Sequence, residues 1–599
     1  MCGIIGCVGH GPETTELLVE GLSTLEYRGY DSAGVALANA DVEIVKQPGE
    51  IDQLREAVMA ARPEGRLGVG HTRWSTHGPP TDENAHPHTD CTGAVAVVHN
   101  GIIENYQALR EALEAAGHTF ESETDTEVVP HLIETELADG VDPESAVRNA
   151  VARLEGSFAI AAVIAGHEAI FAARHDSPLV LGIGDEDAGQ YYLASDVPAF
   201  REHTDRVIYL EDGEFARLTP DGWTVTLFDG TPVEKPIDTV DWDPEETGKA
   251  GYEHFMLKEI NEQPRALRQG LSERVDELEG EVDIGDLAYL HPRGVQLVAC
   301  GTSYHAALYG AQLFQSAGIP AQAYLAHEYA TSPPPIGDEL VVGVTQSGET
   351  ADTLSALREA RSRGARTLAV TNVVGSTAAR ECDDAFYIKA GPEIGVAATK
   401  TFASQLSALN LLSIGMAPSK DDREAIAALR DLPGDVQEIL DESNAEAVAE
   451  AYLHSDAYFF IGRGLQYPVA LEGALKMKEI TYKHAEGFAA GELKHGPLAL
   501  VTGETPVFAM VTGDDEQARK TIGNVKEVEA RDAPVVAVTD GESDVERYAD
   551  HVLEIPARSK RTAAVLANVQ LQLAAYYTAA KLGRPIDKPR NLAKSVTVE

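Results

Sequence analysis

At 599 residues the chain is too long for a single hydrophobic core, and ordinary domain sizes divide it into roughly three or four. Its 44% hydrophobic and 24% charged residues exclude a disordered chain. The formal net charge of -48 is spread along the sequence instead of gathered in a tail, which excludes a nucleic-acid partner because a phosphate backbone would be repelled. A dispersed acidic surface with few lysines is the composition expected of a halophilic source, where high ionic strength screens the self-repulsion.

From residue 1 to about 235, short apolar runs bounded by glycines, such as 93–98 and 157–164, alternate with helical stretches such as 106–116. They predict sandwiched sheets covered by helices, an α+β architecture for a first domain at 1–237. Acidic residues, Pro and Gly break both periods at 238–251, which reads as a linker. Residues 252–278 have helical spacing. Strands then alternate with helices: strand 295–300, helix 304–317, strand 339–344, helix 351–363, strand 367–370. This is the grammar of a doubly wound parallel α/β sheet. The same order recurs at 458–462, 506–511 and 535–538, with LAVTN at 368–372 echoed by VAVTD at 536–540. Two tandem copies are expected, at 285–425 and 450–590, followed by a tail at 591–599.

The cysteines, Cys2, Cys7, Cys91, Cys300 and Cys382, lie far apart with no C-x-x-C spacing, so neither a disulfide framework nor a zinc site is expected. The N-terminus MCGIIGCVGHG has no signal-peptide pattern and no apolar run is long enough to cross a bilayer, so a cytoplasmic protein with no membrane partner is expected. Removal of Met1 would make Cys2 the first residue. Its α-amine and thiol then share one residue, and a free α-amine, with a pKa of roughly 7.7–8.0, can serve as base for its own side chain. Four polar segments between apolar strands supply further site material: YRGYDSAG at 27–34, GHTRWSTHG at 70–78, HNGIIENY at 99–106 and ESETDTE at 121–127.

These segments, with CGIIG ahead of them, resemble the class II glutamine amidotransferases over nearly all of the first 235 residues. The resemblance implies an N-terminal-nucleophile sandwich in which Cys2 attacks the glutamine amide while Asn100 and the Gly101 N–H form the oxyanion hole. It implies that Arg73 grips the substrate α-carboxylate and that Asp125 accepts its ammonium. Arg28 and Gly29 order the surroundings of the nucleophile, Thr76 and His77 line the glutamine pocket, and Trp74 gates the path of ammonia.

In the second half, TQSGET at 345–350 follows a strand and precedes a helix, so hydroxyls, a glycine and helix N–H groups converge as a phosphate requires. It is neither G-x-x-x-x-G-K-[ST] nor G-x-G-x-x-G, so nucleotide binding is unsupported. GTS at 301–303 closes the preceding strand on the same expected edge, and two hydroxyl-rich strand ends make a ligand cleft. Within EGALKMKE at 472–479, Lys476 and Glu479 share a helical face, which an exposed ion pair would also explain. His495 is expected in a loop, and Lys594 lies in the tail PRNLAKSVTVE.

Together with GVAATK at 395–400, these motifs resemble the glutamine–fructose-6-phosphate aminotransferase (isomerizing) family along essentially the full length. The resemblance implies that the two copies are flavodoxin-like sugar-isomerase (SIS) domains. L-glutamine and D-fructose 6-phosphate would give L-glutamate and D-glucosamine 6-phosphate, the first step of hexosamine and UDP-N-acetylglucosamine biosynthesis. Thr302, Ser303, Thr345, Gln346, Ser347 and Thr350 would hold the phosphate and sugar hydroxyls, with Val396 near the sugar. His495, supplied by a neighbouring subunit of a homodimer with a shared sugar site, would assist ring opening. Lys594 would form a Schiff base, and Glu479 would move a proton between C1 and C2 with Lys476 nearby. No metal or organic cofactor is implied. Thr345 and Ala398 stand where the family often has serines, so position 398 offers no hydroxyl. A phosphoribosyl pyrophosphate amidotransferase would need a pyrophosphate loop, and a non-catalytic sugar-phosphate sensor would have little use for Cys2, Glu479, His495 and Lys594. A deglycase would lack the Cys2 terminus.

The charge reading predicts that the thermal unfolding midpoint rises as KCl is increased from dilute buffer towards molar concentration; a midpoint highest in dilute buffer would exclude it.

Overall fold

The computed structural model describes every residue except 1, 76, 241–247, 277–279, 420, 421, 598 and 599. Met1, Thr76 and half of the expected linker therefore lie outside the described residues. The chain forms two compact units, Met1–Thr247 with Ala593–Glu599, and Gly248–Leu592.

The first unit contains an eight-stranded and a six-stranded antiparallel sheet. Its strands read as continuous apolar runs because both faces are covered. Ile4 and Val8 of Gly3–Val8 lie between the sheets with Val69, Val98 and Ala161, whereas Ile5 and Cys7 pack with Leu18, Leu22 and Leu54 of the helices Thr14–Thr24 and Ile51–Ala61. On the other sheet, Ala96 faces inward while Val95 and Val97 meet the helices Val128–Ala138 and Pro143–Val151. The result is a four-layer α+β sandwich of helices, sheet, sheet and helices. Gly3–Val8 sits between Tyr191–Ala194 and Leu67–Arg73, with Gly3 opposite Thr72, so Cys2 emerges beside the end of Leu67–Arg73. Asp238–Thr239, inside the segment read as linker, is an edge strand pairing with Arg206 and Val207.

The second unit carries two five-stranded parallel sheets of one topology. In the first, the spatial order is Ala321–Leu325, Gly294–Ala299, Glu339–Val344, Arg366–Thr371, Asp384–Tyr387. In the second it is His484–Ala489, Ala457–Gly462, Val507–Val511, Val535–Thr539, His551–Glu554. Both run second, first, third, fourth, fifth in chain order, and the strands matched by sequence occupy equivalent places. The topological switch lies between the first and third strands, where an open α/β sheet takes its ligand. One continuous apolar core spans both copies. Through it run the helices Lys400–Met416 and Lys560–Lys581, whose apolar residues point in every direction, as a helix surrounded by protein requires. Two of their polar side chains make buried hydrogen bonds: Gln572 donates to Thr399 O at 3.2 Å and Asn410 to Tyr309 Oη at 2.7 Å. Among the described residues no helix is long and apolar enough to cross a membrane.

Gly473, on the helix Gln466–Thr481, fits against the helix Lys560–Lys581 because it has no side chain; a Cβ there would lie 2.5 Å from Leu571 Cδ1. Gly473→Val should destabilise the second unit by about 1–3 kcal/mol, read as a lower thermal midpoint.

Candidate active sites

The first site gathers at Cys2. The Trp74 N–H donates to Cys2 Sγ at 3.2 Å, and the Trp74 ring stands edge-on to Tyr30 at 5.6 Å. Burial pushes the Cys2 thiol above its ordinary value, outweighing the Trp74 N–H that favours the thiolate, so ionisation needs a base. Asn100 Nδ2 donates to Cys2 O at 2.9 Å. The orientation of this amide follows from its other end. His71 Nε2 lies 2.9 Å from His99 O and 3.1 Å from Asn100 Oδ1. A carbonyl only accepts, so Nε2 carries the proton, Asn100 Oδ1 accepts and Nδ2 is turned to Cys2. Burial depresses the His71 pKa to about 3, which keeps the ring neutral. Gly101 has φ +129°, and a Cβ on it would lie 1.9 Å from Ser157 O, so the backbone can present its N–H here only as glycine.

Around this centre Arg28 pairs with Asp196 at 2.7 Å, and Tyr27 donates to the same carboxylate at 2.6 Å. Gly29 permits contact with the backbone of Arg73 and Trp74, where a Cβ would lie 2.7–2.8 Å from their atoms. Arg73 is buried, and its guanidinium donates to the carbonyls of His77, Gly78 and Pro79, which fixes the loop beside it. Asp125 accepts from the Ile103 N–H through Oδ2 at 2.8 Å, while Oδ1 lies 4.0 Å from His77 Nδ1. Cys2, Trp74, Asn100 and Arg73 are thus joined by direct contacts or adjacency, with Asp125 and His77 forming a second pair.

The second site lies at the switch of the first parallel sheet. Thr302 and Ser303, expected to close the preceding strand, occupy the first turn of the helix Gly301–Ser316. Thr345, Gln346, Ser347 and Thr350 form the loop after Glu339–Val344, and Thr350 precedes the helix Ala351–Ser362. Thr345 Oγ1 accepts from the Gly348 N–H at 3.2 Å and lies 3.3 Å from Thr350 Oγ1, while Ser347 Oγ accepts from the Glu349 N–H at 3.1 Å. Gly348, at φ +69°, passes so near Ser376 that a Cβ would lie 2.1 Å from its hydroxyl.

A carboxylate absent from the expected site joins the two copies. Glu472, with 0% exposure, accepts from Thr302 Oγ1 at 2.9 Å and lies 2.7 Å from His305 Nδ1 and 3.5 Å from Lys476 Nζ. Lys476 Nζ also lies 2.5 Å from Glu479 Oε2, so the exposed-pair reading gives way to a buried network. Glu472 was visible as the residue one helical turn before Lys476; its partners on the other copy were not. Gln405 donates to Ser303 Oγ at 2.9 Å, and the Val396 N–H donates to Asp587 O at 3.1 Å. His495 ends the short helix Ala490–His495, not a loop, and is exposed. Lys594 is half-buried in the tail that belongs to the first unit.

Residues 71–202 match the glutamine amidotransferase domain family, and residues 289–415 and 452–582 each match the SIS domain family. Over the whole of both chains, the sequence is 53% identical to a glutamine–fructose-6-phosphate aminotransferase (isomerizing) of Halobacterium salinarum. It is 50% identical to that of Symbiobacterium thermophilum and 46% to that of Thermus thermophilus, again over both full lengths. The C-terminal domain of a glucosamine-fructose-6-phosphate aminotransferase from Francisella tularensis superposes with a TM-score of 0.53 at 35% identity, covering 57% of this chain and 100% of that domain.

Burial alone would raise the Glu472 pKa, but Lys476, His305 and Thr302 hold it below its ordinary value. Burial alone would depress Lys476, but Glu479 and Glu472 carry it above its own. The Glu472 contribution to stability is present above the unfolded value of 4.5 and is lost as pH falls through the depressed folded value. The Lys476 contribution is present below 10.5 and is lost as pH rises through the raised folded value. Glu472→Gln should destabilise the second unit by up to about 3–5 kcal/mol at neutral pH and reduce its stability loss in acid, as followed by urea unfolding over a pH series.

Proposed function

We infer the reaction from kinship: the chain belongs to the glutamine–fructose-6-phosphate aminotransferase (isomerizing) family, and it aminates and isomerises D-fructose 6-phosphate to D-glucosamine 6-phosphate while L-glutamine becomes L-glutamate. The single observation that carries this is 46–53% identity over both full lengths, with an amidotransferase domain and two SIS domains in one chain.

In the first half-reaction, removal of Met1 frees the Cys2 α-amine, which takes the thiol proton that burial holds in place. Cys2 Sγ attacks the glutamine amide carbon, and the developing oxyanion accepts hydrogen bonds from Asn100 Nδ2 and the Gly101 N–H. Collapse releases ammonia and leaves a glutamyl thioester that water hydrolyses. Asp125 receives the substrate ammonium through the carboxylate oxygen not held by Ile103, and Arg73 receives the α-carboxylate. Arg28, Gly29, Thr76 and His77 shape the pocket. The oriented Asn100 amide and the strained Gly101 support these roles.

In the second, the phosphate sits on Thr302, Ser303, Thr345, Gln346, Ser347 and Thr350 with Val396 beside the sugar, and His495 from a neighbouring copy in a homodimer assists ring opening. Exposure of His495 at the end of its helix supports that sharing. Lys594 condenses with the C2 carbonyl and loses water; ammonia displaces it, and Glu479, held by Lys476, carries a proton from C1 to C2. Ammonia in water is mostly protonated and non-nucleophilic, so it travels in a sheltered path gated by Trp74, whose N–H touches the Cys2 sulfur.

Incubation with both substrates should yield glucosamine 6-phosphate and glutamate in equal amounts, whereas glutamate alone would leave only the glutaminase reaction. Trp74→Ala should retain glutamine hydrolysis and lower the ratio of amino sugar to glutamate; unchanged coupling would remove its gating role.

A further inference from the structure

The first unit assembles a second chemical cluster outside the glutamine site. Cys91 follows the short strand His88–Thr89, His118 lies just beyond the helix Tyr106–Ala116, and His131 and Glu134 are one turn apart on the helix Val128–Ala138. Cys91 Sγ lies 3.7 Å from His118 Nδ1 and 3.6 Å from His131 Nδ1; Glu134 Oε2 lies 2.9 Å and 3.3 Å from the same two nitrogens. All four atoms fall within 4.8 Å of one another. A tetrahedral zinc ion, with bonds of about 2.0–2.3 Å, places its ligand atoms roughly 3.3–3.6 Å apart.

The hydrogen bonds behind the cluster fix which nitrogen carries a proton. Thr135 Oγ1 donates its one proton to His131 O at 2.9 Å, because a carbonyl only accepts. It therefore accepts from His118 Nε2–H at 3.1 Å. A neutral His118 then presents a bare Nδ1 lone pair to the Glu134 carboxylate, two acceptors facing each other. His131 turns Nδ1 to the same carboxylate, while its Nε2 lies 3.7 Å from Glu127 Oε1, too far for a hydrogen bond. The Thr119 N–H donates to Cys91 Sγ at 3.5 Å and the Cys91 N–H to Glu134 Oε2 at 3.2 Å. With both rings neutral, one thiol, two Nδ1 atoms and one carboxylate oxygen direct lone pairs at one point, and the outer nitrogen of His118 has an oxygen partner, as a metal ligand's does.

We propose that Cys91, His118, His131 and Glu134 bind one zinc ion in a closed, structural site. On binding, the Cys91 thiol releases its proton to solvent, both imidazoles bind neutral through Nδ1, and thiolate plus carboxylate balance the charge of the ion. Four protein ligands leave no open position, so the ion is a clamp and not a catalyst. It joins three segments and pins both ends of the 121–127 stretch, in which Glu127 accepts from the N–H groups of Glu121 and Ser122 and which carries Asp125.

Full-length protein stripped with a chelator and then freed of it is titrated with Zn²⁺ and, separately, Co²⁺. One metal per chain should bind, Co²⁺ should show tetrahedral visible bands with thiolate-to-cobalt charge transfer, and Zn²⁺ should raise the thermal midpoint. In Cys91→Ser the charge-transfer band should vanish and affinity should fall by more than about 100-fold. Cys300→Ser, which alters the other cysteine, histidine and carboxylate cluster, with His327 and Asp352, should keep both properties. Binding well below one per chain, cobalt spectra of the wild type without thiolate charge transfer, or unchanged affinity in Cys91→Ser would each overturn the proposal.

Discussion

A carboxylate fully shielded from solvent, Glu472, ties the two parallel sheets of the second unit into one body. Removing its charge from water is costly, and only the convergence of Thr302, His305 and Lys476 offsets that cost. Because Thr302 and His305 come from one copy and Lys476 from the other, the network holds only when the copies are docked in one arrangement. The first turn of the helix after Gly294–Ala299 is then fixed against the second copy, and Glu479 is held by the same lysine. The same contacts give this half its rigidity and set out its chemistry.

The first unit solves a different problem. Cys2 lies near the start of the chain, where a peptide is ordinarily mobile, and the fold answers by making the next six residues a central strand. A neutral histidine then orients Asn100, and a glycine that no side chain can replace presents its N–H next in the strand. His71 makes no claim on the substrate, yet the direction of the Asn100 amide depends on it.

Much of this was legible in the chain. Composition separated globular from disordered, period and punctuation located the sheets, and the repeated strand order disclosed the duplication that both sheet topologies bear out. Where the reading slipped, the cause was local. Asp238 and Thr239 look like linker because an edge strand can be short and polar, and Thr302 and Ser303 look like the end of the preceding strand because a helix can start on hydroxyl residues directly after it. Cys91, His118, His131 and Glu134 are scattered along the chain and share no C-x-x-C spacing; only the helical spacing of His131 and Glu134 is local, so their meeting is not written in any short motif.

By itself, then, the sequence determined the elements, their order, the repeat and the family, since all of these are written in neighbouring residues and in motifs read along one dimension. Only the tertiary structure decided which groups share an environment: that Glu472 meets Thr302 and His305 across the two copies, that His71 sets the Asn100 amide, and that two imidazoles turn Nδ1 towards one thiol and one carboxylate. Burial and proton direction are properties of the space between distant segments, and no local pattern encodes them.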